Sequence, residues 1–277
     1  MNILSLFDGI SCGMLALNRA GILVDNYYAS EIDSFSTKVS MKNFPKIIRL
    51  GDVKKWRCWT LPPIDLLLAG FPCQSFSLAG KQLNFNDPRG QLFFDTLNII
   101  EAIKPKYFLL ENVKMKKEFS TKISELLGVD YIEINSSLLS AQNRKRLYWT
   151  NIPISELPVD KGIHLCDIIE DKPSGAVKCG AFRGRYINGT KKTRQMLEIR
   201  KDQKTNTLTT VQKDNRVVYL DEGNRNRKLS VLEYERLQTL PEGYTLGVSN
   251  TQRYKMIGNG WTVDVIAHLL KGLKNEV

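Results

Sequence analysis

The sequence predicts an α/β protein, a doubly wound and mostly parallel sheet that carries a small, loop-rich second region. Three observations point there. Strand-like and helix-like segments alternate through residues 1–150, the order that builds parallel sheets through crossover helices. Asp65 to Ala69 is a near-continuous apolar run, as expected of a strand covered on both faces. After Ile152 the texture changes to Lys, Arg, Asn, Gly and Thr with little periodicity.

The elements follow in order. Asn2 to Leu6 reads as a short apolar strand. Gly9 to Ala20 sets Ile10, Met14 and Leu17 at helical spacing. Tyr27 to Ser30 is strand-like and ends at Glu31, and a third strand is expected to end at Asp52. The run to Ala69 comes next. Leu92 to Ile103 reads as a helix, Lys106 to Leu110 as a strand ending at Glu111, and residues 118–127 as a helix. Tyr131 to Ile134 and Leu147 to Thr150 are further strands. Ser230 with Glu233 three residues on is a capping-box signature that opens a short helix over 230–239. A last helix from Thr262 to Leu273 aligns Val263, Ile266, Leu269 and Leu270. The expected division is 1–152, 153–229, and a return to the first domain over 230–277. In such folds ligands bind beyond the carboxyl ends of the strands, where Glu31, Asp52, Glu111 and the segment after Ala69 fall.

Composition narrows the function. Apolar residues make up 42% of 277 residues, an ordinary globular share. No apolar run is long enough to span a bilayer. Met1 to Phe7 lacks the cationic flank of a signal peptide, so the expected compartment is the cytoplasm. The net charge is +11 and the pI about 9.4, which favours an anionic partner such as nucleic acid. The cysteines are Cys12, Cys58, Cys73, Cys166 and Cys179. None forms a CxxC pair, so no metal site is expected. His164 and His268 receive no role.

Four segments carry chemistry. Phe7-Asp8-Gly9-Ile10-Ser11-Cys12-Gly13 joins a strand to a helix and lets backbone approach a ligand, but it is not the GxGxxG of NAD or FAD folds. Glu31, about 20 residues on, can accept hydrogen bonds from ribose hydroxyls. With Asp52 it suggests an adenosine-containing cofactor. Gly70-Phe71-Pro72-Cys73-Gln74 places a cysteine on a loop leaving a central strand, a setting that favours thiolate. Glu111-Asn112-Val113 leaves the next strand, so that its carboxyl faces the same cleft and pairs an acid with that thiol. In Gln142-Asn143-Arg144-Lys145-Arg146, an extended backbone would put both guanidinium groups on one face.

Phe-x-Gly, Pro-Cys-Gln, Glu-Asn-Val, Gln-x-Arg-x-Arg and a late Gly258-Asn259 occur in this order. The series resembles that of the DNA cytosine-5 methyltransferases over residues 1–150 and 230–274. Gly80-Lys81-Gln82 and Arg89 to Phe94 look like the family's mobile loop and the helix after it. Arg146 to Asn151 and Gly258 to Val263 look like the animal de novo branch, although the chain lacks that branch's long N-terminal reader domains and looks more like a compact microbial or phage enzyme. It departs from the family at Gly260, where Ser is usual, and at Ser11-Cys12, where a second glycine is common.

The resemblance implies a class I, Rossmann-like S-adenosylmethionine-dependent methyltransferase. By resemblance, 1–152 with 230–277 is the catalytic domain and 153–229 the target recognition region. Cys73 would add to carbon 6 of a flipped cytosine, Glu111 would hold N3 and the amino group, Arg144 would bond the base oxygen, and Arg146 would order the loop or a phosphate. S-adenosyl-L-methionine would lie against Phe7, Gly9, Ile10, Gly13, Glu31, Ile32, Asp52, Val53, Pro72, Asn259 and Gly260. DNA would meet Gln74, Ser75, Gln82, Arg183, Arg185, Thr207 and Leu208, with Lys191, Lys192 and Arg194 as further contacts. The implied partners are double-stranded DNA and a cognate restriction endonuclease, with the enzyme a monomer. Three rival readings stand beside this one. A tRNA cytosine-5 methyltransferase fits the motifs, but the separate insert suits duplex DNA better. A catalytically inactive DNA-binding paralogue is opposed by intact Cys73 and Glu111. An exocyclic amino methyltransferase needs a Pro-Pro-aromatic loop that Pro62-Pro63-Ile64 does not match.

Overall fold

Leu66, Leu67, Leu68 and Ala69 are all 0% exposed because their strand is the middle one of seven. In the computed structural model the sheet order is β3-β2-β1-β4-β5-β7-β6, formed by β1 (Asn2–Leu6), β2 (Asn26–Ser30), β3 (Ile48–Gly51), β4 (Leu66–Gly70), β5 (Tyr107–Val113), β6 (Tyr131–Asn135) and β7 (Lys145–Thr150). The structure describes residues 1–72, 91–171, 175–187, 192–210, 215–223 and 225–276. Strands β1 to β5 are mutually parallel, so their carboxyl ends share one edge. β7 runs antiparallel to β5.

The helices follow from local chemistry. α1 (Cys12–Ala20) buries Ala16, Leu17 and Ala20 and stops at Gly21, whose left-handed backbone donates to the carbonyls of Leu17 and Asn18. It packs against α7 (Val263–Leu270), with Arg19 Nη1 2.7 Å from Asp264. α3 (Gln91–Ile103) buries Phe93, Leu97 and Ile99, and α4 (Lys117–Leu127) buries Phe119 and Ile123. α2 (Ser34–Asn43) and α6 (Asn250–Asn259) have no counterpart in the sequence expectations. Their apolar spacing is weak. α2 buries only Val39 among its large apolar residues, and it starts because the Asp33 carboxylate accepts from the N–H groups of Phe35 and Ser36, each at 3.0 Å.

The chain divides into two compact units. One is Met1–Ile134, Lys145–Leu157 and Val263–Val277; the other is Asn135–Arg144 with Pro158–Thr262. The units do not follow the segment boundaries drawn from the sequence, because residues 135–144 and 230–262 join the second. That unit holds more than loops. β8 (Val177–Tyr186), β9 (Thr193–Ile199), β10 (Arg216–Tyr219) and β11 (Arg225–Lys228) form an antiparallel sheet of order β11-β10-β8-β9. Its alternation is hard to read because Gly180 stands where β10 and β9 close in. A Cβ there would lie 2.8 Å from Val218 and 2.9 Å from Leu197. α5 (Val231–Leu237) realises the expected capping box: Ser230 Oγ accepts from the Glu233 N–H and Glu233 Oε2 from the Ser230 N–H.

Candidate active site

The turn after β1 is wound tightly. Phe7, Gly9 and Ser11 all have positive φ, at 55°, 58° and 61°. Such a backbone needs outside support, and Glu31 gives part of it. Its Oε2 accepts from the Gly9 N–H at 2.8 Å, while Oε1 accepts from Ile32 at 2.8 Å and Asp33 at 2.7 Å. A carboxylate offers about four acceptor sites, so capacity remains on Oε2. Beneath the turn, buried Asp8 accepts from Ser11 Oγ at 2.5 Å and from the Tyr27 hydroxyl at 2.8 Å, and Arg49 approaches to 3.4 Å. Burial pushes the Asp8 carboxyl up, against these hydrogen bonds and the arginine. Asp8 and Arg49 carried no sequence signal beyond their types.

Other expected cofactor residues fall around this edge. Ile32 is 77% exposed directly after Glu31. Asp52 caps the 3-10 turn Val53–Cys58 by accepting from the Lys54 N–H at 3.0 Å. Ser30 Oγ donates to the Gly51 carbonyl at 2.8 Å, which ties the end of β2 to the end of β3. Ile10 and Val53 are buried. Gly13 is buried inside α1. The position a Cβ would take on Gly9 has no atom within 4 Å, which leaves open space beside the turn.

One register pair sets the second cluster. Gly70 of β4 lies opposite Glu111 of β5, and Asn112 Nδ2 reaches the Phe71 carbonyl at 3.4 Å. Asn112 was passed over by sequence although it stands inside Glu-Asn-Val. Glu111 is buried, and Arg146 Nε lies 2.9 Å from its Oε1. Arg146 Nη1 also donates to the Lys145 carbonyl at 2.9 Å. Phe71 packs on Phe93 at 5.1 Å between centroids. Pro72 is the last described residue before the expected nucleophile. Cys73, Gln74, Ser75 and Gln82 lie outside the described residues, as do the expected loop Ser75 to Gly90 and Lys191.

Arg144 requires a correction. Its guanidinium is buried in the second unit, where Nη1 donates to the Leu208 carbonyl at 3.0 Å and Nη2 to the carbonyls of Gly258 at 3.3 Å and Gly260 at 2.9 Å. With these groups engaged it is not placed to bond a base oxygen. The one-face expectation for Arg144 and Arg146 fails because β7 begins only at Lys145, and the alternation rule holds only within a strand. Leu208 is buried as well. Its N–H donates to Gln142 Oε1 at 2.9 Å, and Thr207 Oγ1 donates to the Asn143 carbonyl at 2.6 Å. The Thr-Leu pair therefore anchors its segment, and the buried Leu208 side chain offers DNA no contact. Arg183 and Arg185 do share one face of β8, but Glu198 of β9 holds Arg185 through Nη2 at 2.8 Å and a second bond to Nε. Asn259 is exposed and Gly260 half-buried at the end of α6.

Comparison with known proteins agrees with the motif series. The profile of the C-5 cytosine-specific DNA methylases matches residues 1–156 and 163–275. The chain is 34% identical to the Type II methyltransferase M1.ScrFI of Lactococcus lactis subsp. cremoris, across 95% of this chain and 75% of that protein. It is 30% identical to the Type II methyltransferase M.NlaX of Neisseria lactamica, across 98% and 96%. The fold is similar to that of the Entamoeba histolytica methyltransferase EhMeth, with a TM-score of 0.71 at 16% identity over 100% of this chain and 98% of the other. No described helix is long and apolar enough to cross a membrane. The profile match over nearly the whole chain and the two Type II relatives show that this chain belongs to the C-5 cytosine-specific DNA methylase family, as an enzyme that methylates cytosine in DNA.

Proposed function

We propose that the chain methylates carbon 5 of a flipped cytosine at a short specific sequence in duplex DNA, with Cys73 as nucleophile and S-adenosylmethionine as methyl donor. The observation that carries this reading is the Gly70–Glu111 register pair with Arg146 on the carboxylate. It brings the strand leading to Pro72-Cys73 beside an acid already held by a cation. Carbon 5 of cytosine is a weak nucleophile. Addition of the Cys73 thiolate to carbon 6 makes the ring an enamine able to attack an electrophile. Glu111 holds N3 and the amino group during that addition. Arg146, rather than Arg144, faces the base oxygen, because Arg146 stands beside Glu111 while the Arg144 guanidinium is engaged by buried carbonyls. Loss of the carbon 5 proton then expels Cys73. The base must first leave the stack, at a cost of a few kcal/mol.

S-adenosylmethionine, when bound, supplies the electrophilic methyl group. The residues present fit it. The open space at Gly9, the remaining acceptor capacity on Glu31 and exposed Ile32 suit an adenosine with its ribose hydroxyls. Asp52 stands at the neighbouring strand end. Asn259 and Gly260 are carried over by resemblance alone. In this reading residues 153–229 choose the DNA site, with Arg183 the foremost base-reading side chain. A cognate restriction endonuclease, a monomeric state and a cytoplasmic location complete the proposal. The test is covalent trapping. A duplex with 5-fluorocytosine at the target should form an adduct stable to denaturation, since fluorine does not leave as a proton does. Cys73→Ser should form none, and an adduct that persists in that variant would overturn the assignment.

A further inference from the structure

The second unit contains a buried polar cluster that the reaction above does not use. Gln142 and Gln238 are both 0% exposed. Gln142 Nε2 donates to the Leu237 carbonyl at 3.2 Å and to Gln238 Oε1 at 3.1 Å, while its Oε1 takes the Leu208 N–H. Gln238 Nε2 donates to the carbonyls of Ile257 and Gly260, both at 2.9 Å. Its Oε1 also accepts from Thr262 Oγ1 at 2.7 Å, and that hydroxyl accepts from Ser136 Oγ at 2.9 Å. Arg144 bridges the same two segments through the carbonyls of Leu208, Gly258 and Gly260. The backbones also meet directly. A Cβ on Gly258 would lie 2.4 Å from the Thr209 carbonyl oxygen and 3.0 Å from the Thr210 nitrogen. That is closer than any side chain permits, so Gly258 is required by contact with residues 209–210 and not by its own dihedral angles.

Two segments are thus held as one body: 207–210, in the region expected to read DNA, and 258–260, in the turn expected to hold the cofactor. Fully satisfied buried networks of this kind are rigid, and displacement of one member leaves its partners unpaired. We propose that Gln238, with Arg144 and Gln142, is a positioning residue that couples the two binding events, so that ordering of 258–260 by cofactor favours the DNA-competent form of 207–210 and the reverse. The inference rests on the reading given under Proposed function. Linkage requires the effect to be reciprocal.

The test measures the dissociation constant of S-adenosylhomocysteine by calorimetry, with and without a duplex carrying the site found by methylation mapping. The ratio of the two constants is the coupling factor. The wild-type protein should bind the nucleoside at least about fivefold more tightly with DNA present, within the usual allosteric range. Gln238→Met keeps the volume but removes the amide, and should bring the ratio close to one. Thr262→Val, a milder change at the same hub, should lower the ratio part of the way and keeps the test open if Gln238→Met does not fold. A merely structural role would lower the melting temperature and leave the ratio unchanged. A wild-type ratio of one, or an unchanged ratio in both folded variants, would overturn the coupling. Failure of the wild-type protein to bind either the nucleoside or the duplex would instead overturn the underlying reading.

Discussion

Arg146 Nε lies 2.9 Å from Glu111 Oε1, although Arg146 stands opposite Val113 in the β5–β7 pairing and Glu111 opposite Tyr148. The pair is therefore diagonal, on the face that the two strands share, within reach for a long side chain. Arg146→Ala is expected to lower kcat by about 10²-fold or more, the usual loss for one preorganised donor aimed at a reacting group. Arg146→Lys should restore little, since a point charge cannot bond Glu111 and the base in one plane. Single-turnover rates check this, and a rate within a factor of about two of wild type would remove Arg146 from the reaction.

Arg144→Met should act on stability. The change strips three carbonyls of their donor inside the second unit, and each unpaired buried group costs about 1–3 kcal/mol. Denaturant titration should show a loss of about 3 kcal/mol or more, whereas Arg146→Ala should lose less.

Two glycines make contrasting predictions. Gly258→Ala drives a methyl into the Thr209 carbonyl and should cost about 1–3 kcal/mol of stability as overpacking. Gly9→Ala meets no protein atom but sits at φ 58°, which costs about 1–2 kcal/mol for a residue with a Cβ. Its added methyl enters the open space beside the turn, so cofactor affinity should fall more than the melting temperature suggests.

Glu31→Ala should weaken S-adenosylhomocysteine binding more than Asp52→Ala. Glu31 holds the Gly9 turn and keeps acceptor capacity for the proposed ribose, while Asp52 caps a single 3-10 turn. A loss of about 1–3 kcal/mol is expected for Glu31→Ala. Calorimetry showing equal affinities for the two variants would refute the order.

Glu198 governs the charge that Arg185 presents. The hydrogen bond from Arg185 holds the Glu198 carboxyl below the usual carboxylate range. A depressed carboxylate contributes its stabilisation above that range and loses it as pH falls through its own lowered value. At neutral pH Arg185 is therefore paired. Glu198→Gln should release it to a phosphate and steepen the dependence of log affinity on log salt by about one unit. DNA titrations at several salt concentrations measure this slope. Methylation maps of Arg183→Ala should meanwhile show a broader set of sites, since a guanine-reading arginine discriminates by about 1–3 kcal/mol.

The sequence by itself determined the sheet and its working edge. An apolar run such as Leu66 to Ala69, too short for a helix and set in a strand–helix alternation, reads as a covered strand, and acids at the ends of parallel strands must share one edge with the turn after β1. Ser230 and Glu233 announced a helix start because a capping box is a local bond pattern. What tertiary structure alone decided is which side chains that edge can use. Arg144 and Arg146 are alike in type and two residues apart, yet the strand begins between them, so one enters a buried cluster of carbonyls and the other meets Glu111. Gln238 is the C-cap of α5, but its amide partners, the carbonyls of Ile257 and Gly260, come from the end of α6, and Gly258 is glycine because Thr209, 49 residues earlier in the chain, presses its carbonyl there. Both depend on contacts between segments far apart in sequence, which no local pattern encodes.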